Sequence, residues 1–66
     1  MIKNYTLRHD SGEVLGFGPQ DYNKMRVGLW KYFHKNGQLW QFGKYNSKGK
    51  RVRDTWRYFD EEGEEF

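Results

Sequence analysis

The sequence predicts an all-β fold, a single twisted antiparallel sheet built from three consecutive β-hairpins. Three observations carry this expectation. The 66-residue chain is rich in Trp, Tyr and Phe, and no stretch of it shows the 3.6-residue apolar period of a helix. A glycine recurs seven residues after a leading aromatic, at Tyr5/Gly12, Trp30/Gly37 and Trp56/Gly63. The segments around these pairs align at offsets of 25 and 26 residues, and internal periods of 20–50 residues mark repeat architectures.

The first hairpin is expected at about 4–18, where Tyr5-Thr6-Leu7-Arg8 and Val14-Leu15-Gly16-Phe17 flank Asp10-Ser11-Gly12. The second, at about 29–45, folds around Lys35-Asn36-Gly37, and the third, at about 55–66, around Glu61-Glu62-Gly63. A three-residue loop ending on a left-handed residue is a favoured hairpin connection, and Gly adopts that conformation without steric cost. Between the hairpins, 18–28 and 46–54 are polar or basic and read as linking loops, with a short strand near Arg26-Val27. The whole chain, 1–66, reads as one domain.

Direct counting outward from each turn sets Leu7 opposite Leu15, Tyr5 opposite Phe17, Phe33 opposite Leu39, Trp30 opposite Phe42 and Tyr58 opposite Phe66. Side chains alternate faces along a strand. One face then gathers the large aromatics, including Phe17, Trp30, Tyr32, Trp40, Phe42 and Trp56. The other gathers Arg8, Lys31, Gln41, Arg57 and Glu65 with a small apolar set, Val14, Phe33, Leu39 and Phe59. Because the lysines alternate away from the rings, the aromatic face is expected to be core and not a base-stacking platform.

Composition narrows the function. A chain this short buries only about 60% of its unfolded surface, and it has no cysteine to cross-link it or to ligate a metal. The absence of cysteine fits a reducing compartment, and no apolar run approaches the roughly 18 residues that a membrane span needs. A soluble cytoplasmic protein without membrane association is the expectation. Residues 22–57 carry a net charge of +9 and residues 58–66 a net charge of −5. That separation suits an acidic partner, or self-association of one chain's tail with another's middle.

No catalytic or metal chemistry is apparent. His9 and His34 precede two turns at equivalent places, with Asp60 at the third, and a metal site needs three or four converging ligands. No nucleophile and base share a pocket. Gly16-x-Gly18-Pro19 lacks the Lys-Ser/Thr and the helix of a phosphate loop. A non-enzyme without cofactors is expected.

The pattern Gly28-x-Trp30-x-Tyr32-Phe33-x-x-Asn36-Gly37-x-Leu39, followed by Tyr45, the Gly49-Lys50 turn and Trp56-x-Tyr58-Phe59-x-x-x-Gly63, resembles the MORN (membrane occupation and recognition nexus) repeats. The likeness is to the short variant of antitoxin-like and other small bacterial or phage proteins. It covers 23–66 well and 5–17 weakly. Asp54 stands where the family has Gly before Trp, and Tyr5 stands for the first Trp. The resemblance implies a stack of hairpins used for binding and not for catalysis.

The expected function is therefore a small protein–protein interaction module, an inhibitor or antitoxin-like protein that binds an acidic surface of its target. The basic loop residues Lys48, Lys50, Arg51 and Arg53, with Lys31, Lys35 and Arg57, would steer the partner, and Phe33, Leu39 and Phe59 would form the apolar centre. The alternative is a nucleic-acid-binding module that sets the same cations on phosphates. Homodimerisation would be another way to cover an exposed aromatic face.

Overall fold

Turns of one design set the length of every strand. In a computed structural model, which describes residues 3–66, the backbone NH of residue i reaches the carbonyl of i+4, and the NH of i+3 returns to the carbonyl of i. This pair of bonds closes turns starting at His9, Asp21, His34, Asn46 and Asp60, with N–O distances of 2.8–3.1 Å. The fourth residue of each has positive φ, and it is Gly in four of them (Gly12, Gly37, Gly49, Gly63) and Lys24 in the remaining one. In all but the first turn, an Asp or Asn side chain (Asp21, Asn36, Asn46, Asp60) accepts backbone NH groups from the loop. Segments 18–28 and 46–54 are thus turns of the hairpin kind. They close on the bridges Gln20↔Arg26 and Tyr45↔Arg51.

The strands are β1 (Lys3–Arg8), β2 (Val14–Gln20), β3 (Gly28–Phe33), β4 (Leu39–Tyr45) and β5 (Arg57–Tyr58). A short 3₁₀ turn, Arg53–Thr55, leads into β5. They form one antiparallel sheet in the order β1-β2-β3-β4-β5, and a final bridge, Phe59↔Glu65, closes the third hairpin. The described residues span 35 × 29 × 12 Å, the dimensions of a single layer. Residues 1 and 2 of the expected domain lie outside the described residues.

The register departs from direct counting. Phe33 pairs with Leu39 and Arg8 with Val14, but beyond these the pairing shifts by one, so that Tyr32 faces Gln41 and Leu7 faces Gly16. The extra residues are Leu15 and Trp40, one β-bulge in each hairpin. A bulge reverses which side chains share a face. Phe17 and Phe42, expected beside the tryptophans, therefore lie opposite Lys31 on the other side of the sheet. Gln41, expected on the polar face, is buried beside Tyr32.

The core is small and aromatic: Trp30, Tyr32, Tyr45 and Trp56, with Leu7 and Trp40 packed against it. Trp30 is fully buried. Trp30 and Trp56 each cover a glycine of the adjacent strand. A Cβ added to Gly18 would lie 2.5 Å from the Trp30 ring, and one added to Gly43 would lie 2.3 Å from Trp56. The indole NH groups of these two also donate to main-chain carbonyls, Trp30 to Pro19 at 2.8 Å and Trp56 to Lys44 at 3.1 Å.

Candidate functional site

The two faces of the sheet differ in what covers them. On the tryptophan face two arginines lie over the rings. The Arg26 guanidinium stands 5.2 Å from the Trp30 ring and Arg51 stands 4.0 Å from that of Trp56. Arg26 donates to the Tyr32 hydroxyl at 3.0 Å, and that hydroxyl shares a buried 2.8 Å hydrogen bond with Tyr45. Arg51 donates to Gln41 and to the Tyr58 hydroxyl. Burial and the Tyr45 hydroxyl push the Tyr32 phenol up to about 12. Burial alone would lower the Arg26 pKa, but the neighbouring Tyr45 and Tyr32 hydroxyls, which accept from the guanidinium and attract it as phenolates, outweigh it and the pKa is raised.

Among the described residues the opposite face has no such cover. Across four strands its side chains run Phe17, Lys31, Phe42, Arg57, each opposite the next. Phe33 stacks on Phe17 at 5.8 Å between centroids, and Phe59 stacks on Phe42 at 6.0 Å. Leu29 and Lys44, paired with one another, continue this face by strand alternation. Phe17 and Leu29 remain 43% and 46% exposed, high for apolar side chains this central in a sheet.

The ten residues expected to bind a partner separate into four places. Phe33, Leu39 and Phe59 lie half-buried on the open face with Lys31, and Lys35 stands on the turn beside them. Arg57 shares this face but forms an ion pair with Glu65. Lys48 and Lys50 occupy an exposed turn at the far end of the strands, roughly 20 Å away at 3.3 Å per residue. Arg53 lies in the 3₁₀ turn. Arg51 lies on the tryptophan face, where its stacking and hydrogen bonds serve the core.

Direct counting leaves Phe17, Phe42, Leu29 and Lys44 out of this surface. The signal that could have placed them is the glycine at 18 and 43. A residue that must pass beneath a tryptophan on the next strand has to share its face, which puts positions 17 and 42 on the other.

The histidines tie neighbouring hairpin tips together. His9 Nε2 is 3.1 Å from the Phe33 carbonyl oxygen and His34 Nε2 is 2.9 Å from that of Phe59. A carbonyl only accepts, so each imidazole holds a proton on Nε2. Asn36 adds a bond to the Glu61 carbonyl. Among the described residues no group of three or more His, Cys, Asp or Glu is placed to hold a metal ion.

Beside the first two tips the open face dips into a hollow of about 610 Å³, floored by Val14, Phe17 and Phe33 and rimmed by Arg8, Glu13 and Lys35. A hydrogen bond from the Ser11 hydroxyl lowers the Glu13 carboxyl below its ordinary pKa, with Lys35 and His9 adding attraction. Fold and surface together define a single-layer repeat meander with one closed aromatic face and one open one. Comparison with protein-family models, with curated proteins and with solved structures gave no match. No helix among the described residues is long and apolar enough to cross a membrane.

Proposed function

We propose that this chain is a non-catalytic binding module that docks a partner protein on its open phenylalanine face. One observation carries the reading. The sheet is a single layer whose exposed side presents two phenylalanine stacks, Phe17/Phe33 and Phe42/Phe59, with nothing of the described chain packed over them. Contiguous apolar surface of this kind marks an interaction site. The 35 × 29 Å outline gives a face of roughly 1,000 Å², above the roughly 800 Å² per partner of a standard interface. Lys31 and Lys44 among the rings favour an acidic partner, which the net charge of +9 over residues 22–57 would steer. The MORN-like spacing of Trp30, Tyr32, Gly37, Trp56 and Gly63 supports an inhibitor or antitoxin-like role in a bacterial or phage setting, inside the cytoplasm.

A second reading has one observation in its favour. The Phe17-Lys31-Phe42-Arg57 row interleaves rings and cations on one surface, the pattern that binds single-stranded nucleic acid. Two features oppose it. The rings stack on one another, and the third tip carries exposed Glu61, Glu62 and Glu64 at one end of the strands, where phosphates would be repelled.

A pull-down from host lysate, with and without nuclease, tests both. The wild type should retain one protein after nuclease treatment, and Leu29→Asp and Phe42→Ala should lose it while keeping a folded spectrum. Retention that disappears with nuclease would replace this reading with the nucleic-acid one.

A further inference from the structure

We infer that the hollow beside the first two hairpin tips seats one aromatic side chain of the partner, carried on an acidic peptide segment. The inference rests on reading the open face as a protein-binding surface, and names what that surface grips first.

The repeat explains why the hollow exists. At the offsets of 25 and 26 residues, Arg8 stands where the later copies place Phe33 and Phe59, Thr6 where they place Lys31 and Arg57, and Val14 where the second copy places Leu39. Between the second and third tips the apolar places are filled by Phe33, Leu39 and Phe59. Between the first and second tips a phenyl ring is missing and a leucine has shrunk to valine, leaving about 610 Å³ over Val14, Phe17 and Phe33. That volume lies within the roughly 300–1,000 Å³ of small-ligand clefts, room for a ring together with part of the peptide that carries it. The floor is apolar, so the vacancy suits a side chain of the kind the repeat omits, an aromatic ring.

The rim selects the residues around that ring. Arg8 is exposed and directs one guanidinium NH to the Gly12 carbonyl at 2.9 Å, one of the five donors its fork carries. Lys35 lines the other side. Among the described residues the ion pair is Arg57–Glu65, so neither rim cation is bound to a carboxylate. Glu13 also sits on the rim, but it accepts the Ser11 hydroxyl. The rim thus carries two cations against one occupied carboxylate, a net attraction for acidic residues flanking the ring. The corresponding place at the third tip is bordered by Glu61 and Glu62 and would repel the same peptide.

The test is a titration of ¹⁵N-labelled protein, followed by amide chemical shifts, with acetyl-Glu-Glu-Phe-Glu-Glu-amide. Controls replace Phe by Ala or all four Glu by Lys. Shifts should concentrate at residues 6, 8, 14, 33 and 35–37, with affinity falling about tenfold or more for the Ala peptide and for the Lys peptide. Lys35→Glu and Arg8→Glu should each reverse the preference between the acidic and basic peptides. Shifts spread over the sheet, equal affinity for all three peptides, or no shift at about 5 mM peptide would overturn the assignment. The chain's own Glu64-Glu65-Phe66, with Phe66 84% exposed, offers the same chemistry. Concentration-dependent sedimentation that Phe66→Ala abolishes would therefore assign the hollow to a second copy instead. If the peptides fail while Leu29→Asp and Phe42→Ala still release the retained protein, the inference falls and the proposed function stands.

Discussion

Gly43 has no room for a side chain. Its Cβ would sit 2.3 Å from the Trp56 ring, whereas at Gly37, with φ of 90°, nothing lies within 4 Å. Alanine should therefore cost different amounts at the two glycines. Gly37→Ala meets only the left-handed backbone penalty, about 1 kcal/mol. Gly43→Ala must push the indole off its seat, an overpacking of about 3 kcal/mol. Urea unfolding followed by tryptophan fluorescence should rank them in that order, and equal costs would mean that Trp56 moves freely. Tyr32 makes a prediction about pH. Its phenol is raised to about 12, above the roughly 10 of an unfolded chain, so the folded state holds the proton more tightly. That contribution is fully present below pH 10 and is lost as pH rises through 12. Melting temperature should fall between these values in the wild type and fall less in Tyr32→Phe, as read by circular dichroism.

Strands and turns carry the next level, and Arg51 shows how its role depends on placement. By sequence it belongs to a basic loop; in the fold it reaches back from the Tyr45↔Arg51 bridge to cover Trp56 and to bind Gln41 and Tyr58, holding β4 to β5. Arg51→Ala should lower stability by about 1 kcal/mol, the worth of an exposed cation–π contact, and leave partner affinity unchanged. Arg51→Glu causing a large loss of affinity without a change in stability would return this residue to the binding surface. The bulges explain most of what direct reading of the chain could not reach. Glycine spacing specifies the hairpins, their order and their tips, because the turn chemistry is local. Nothing local marks Leu15 or Trp40 as the unpaired residue, since a bulge there is fixed by seating Trp30 and Trp56 over Gly18 and Gly43 on adjacent strands. One unpaired residue in each hairpin is enough to move Phe17 and Phe42 to the opposite face. The apolar half of the candidate surface, Phe33, Leu39 and Phe59, was legible because it lies on the turn side of the bulges, where counting from the loop still holds. Cation partners were not: the Arg57–Glu65 pair and the stacking of Arg51 arise from strands brought together by the fold.

At the scale of the whole molecule, charge and shape are set at right angles. The acidic third tip and the basic far turn lie at opposite ends of the strands, while the apolar face spans the area between them. Lys31 and Lys44 are therefore expected to act on encounter and the phenylalanines on retention. Raising salt from about 50 to about 500 mM should slow association several-fold and leave dissociation nearly constant. Lys31→Glu with Lys44→Glu should reproduce that slowing at low salt in a surface-binding measurement. A dissociation rate that tracks salt instead would place the charges in the buried centre of the contact. The uniform turns have a further consequence. Among the described residues each strand touches only the strand before and the strand after it, and no element closes the layer into a barrel or a sandwich. Such an array grows by addition: another copy of 25 or 26 residues could be appended using contacts already present, without altering any that exist. Its history would then be one of duplication along a line, with each copy free to trade one side chain for a new use, as Arg8 has done in the first.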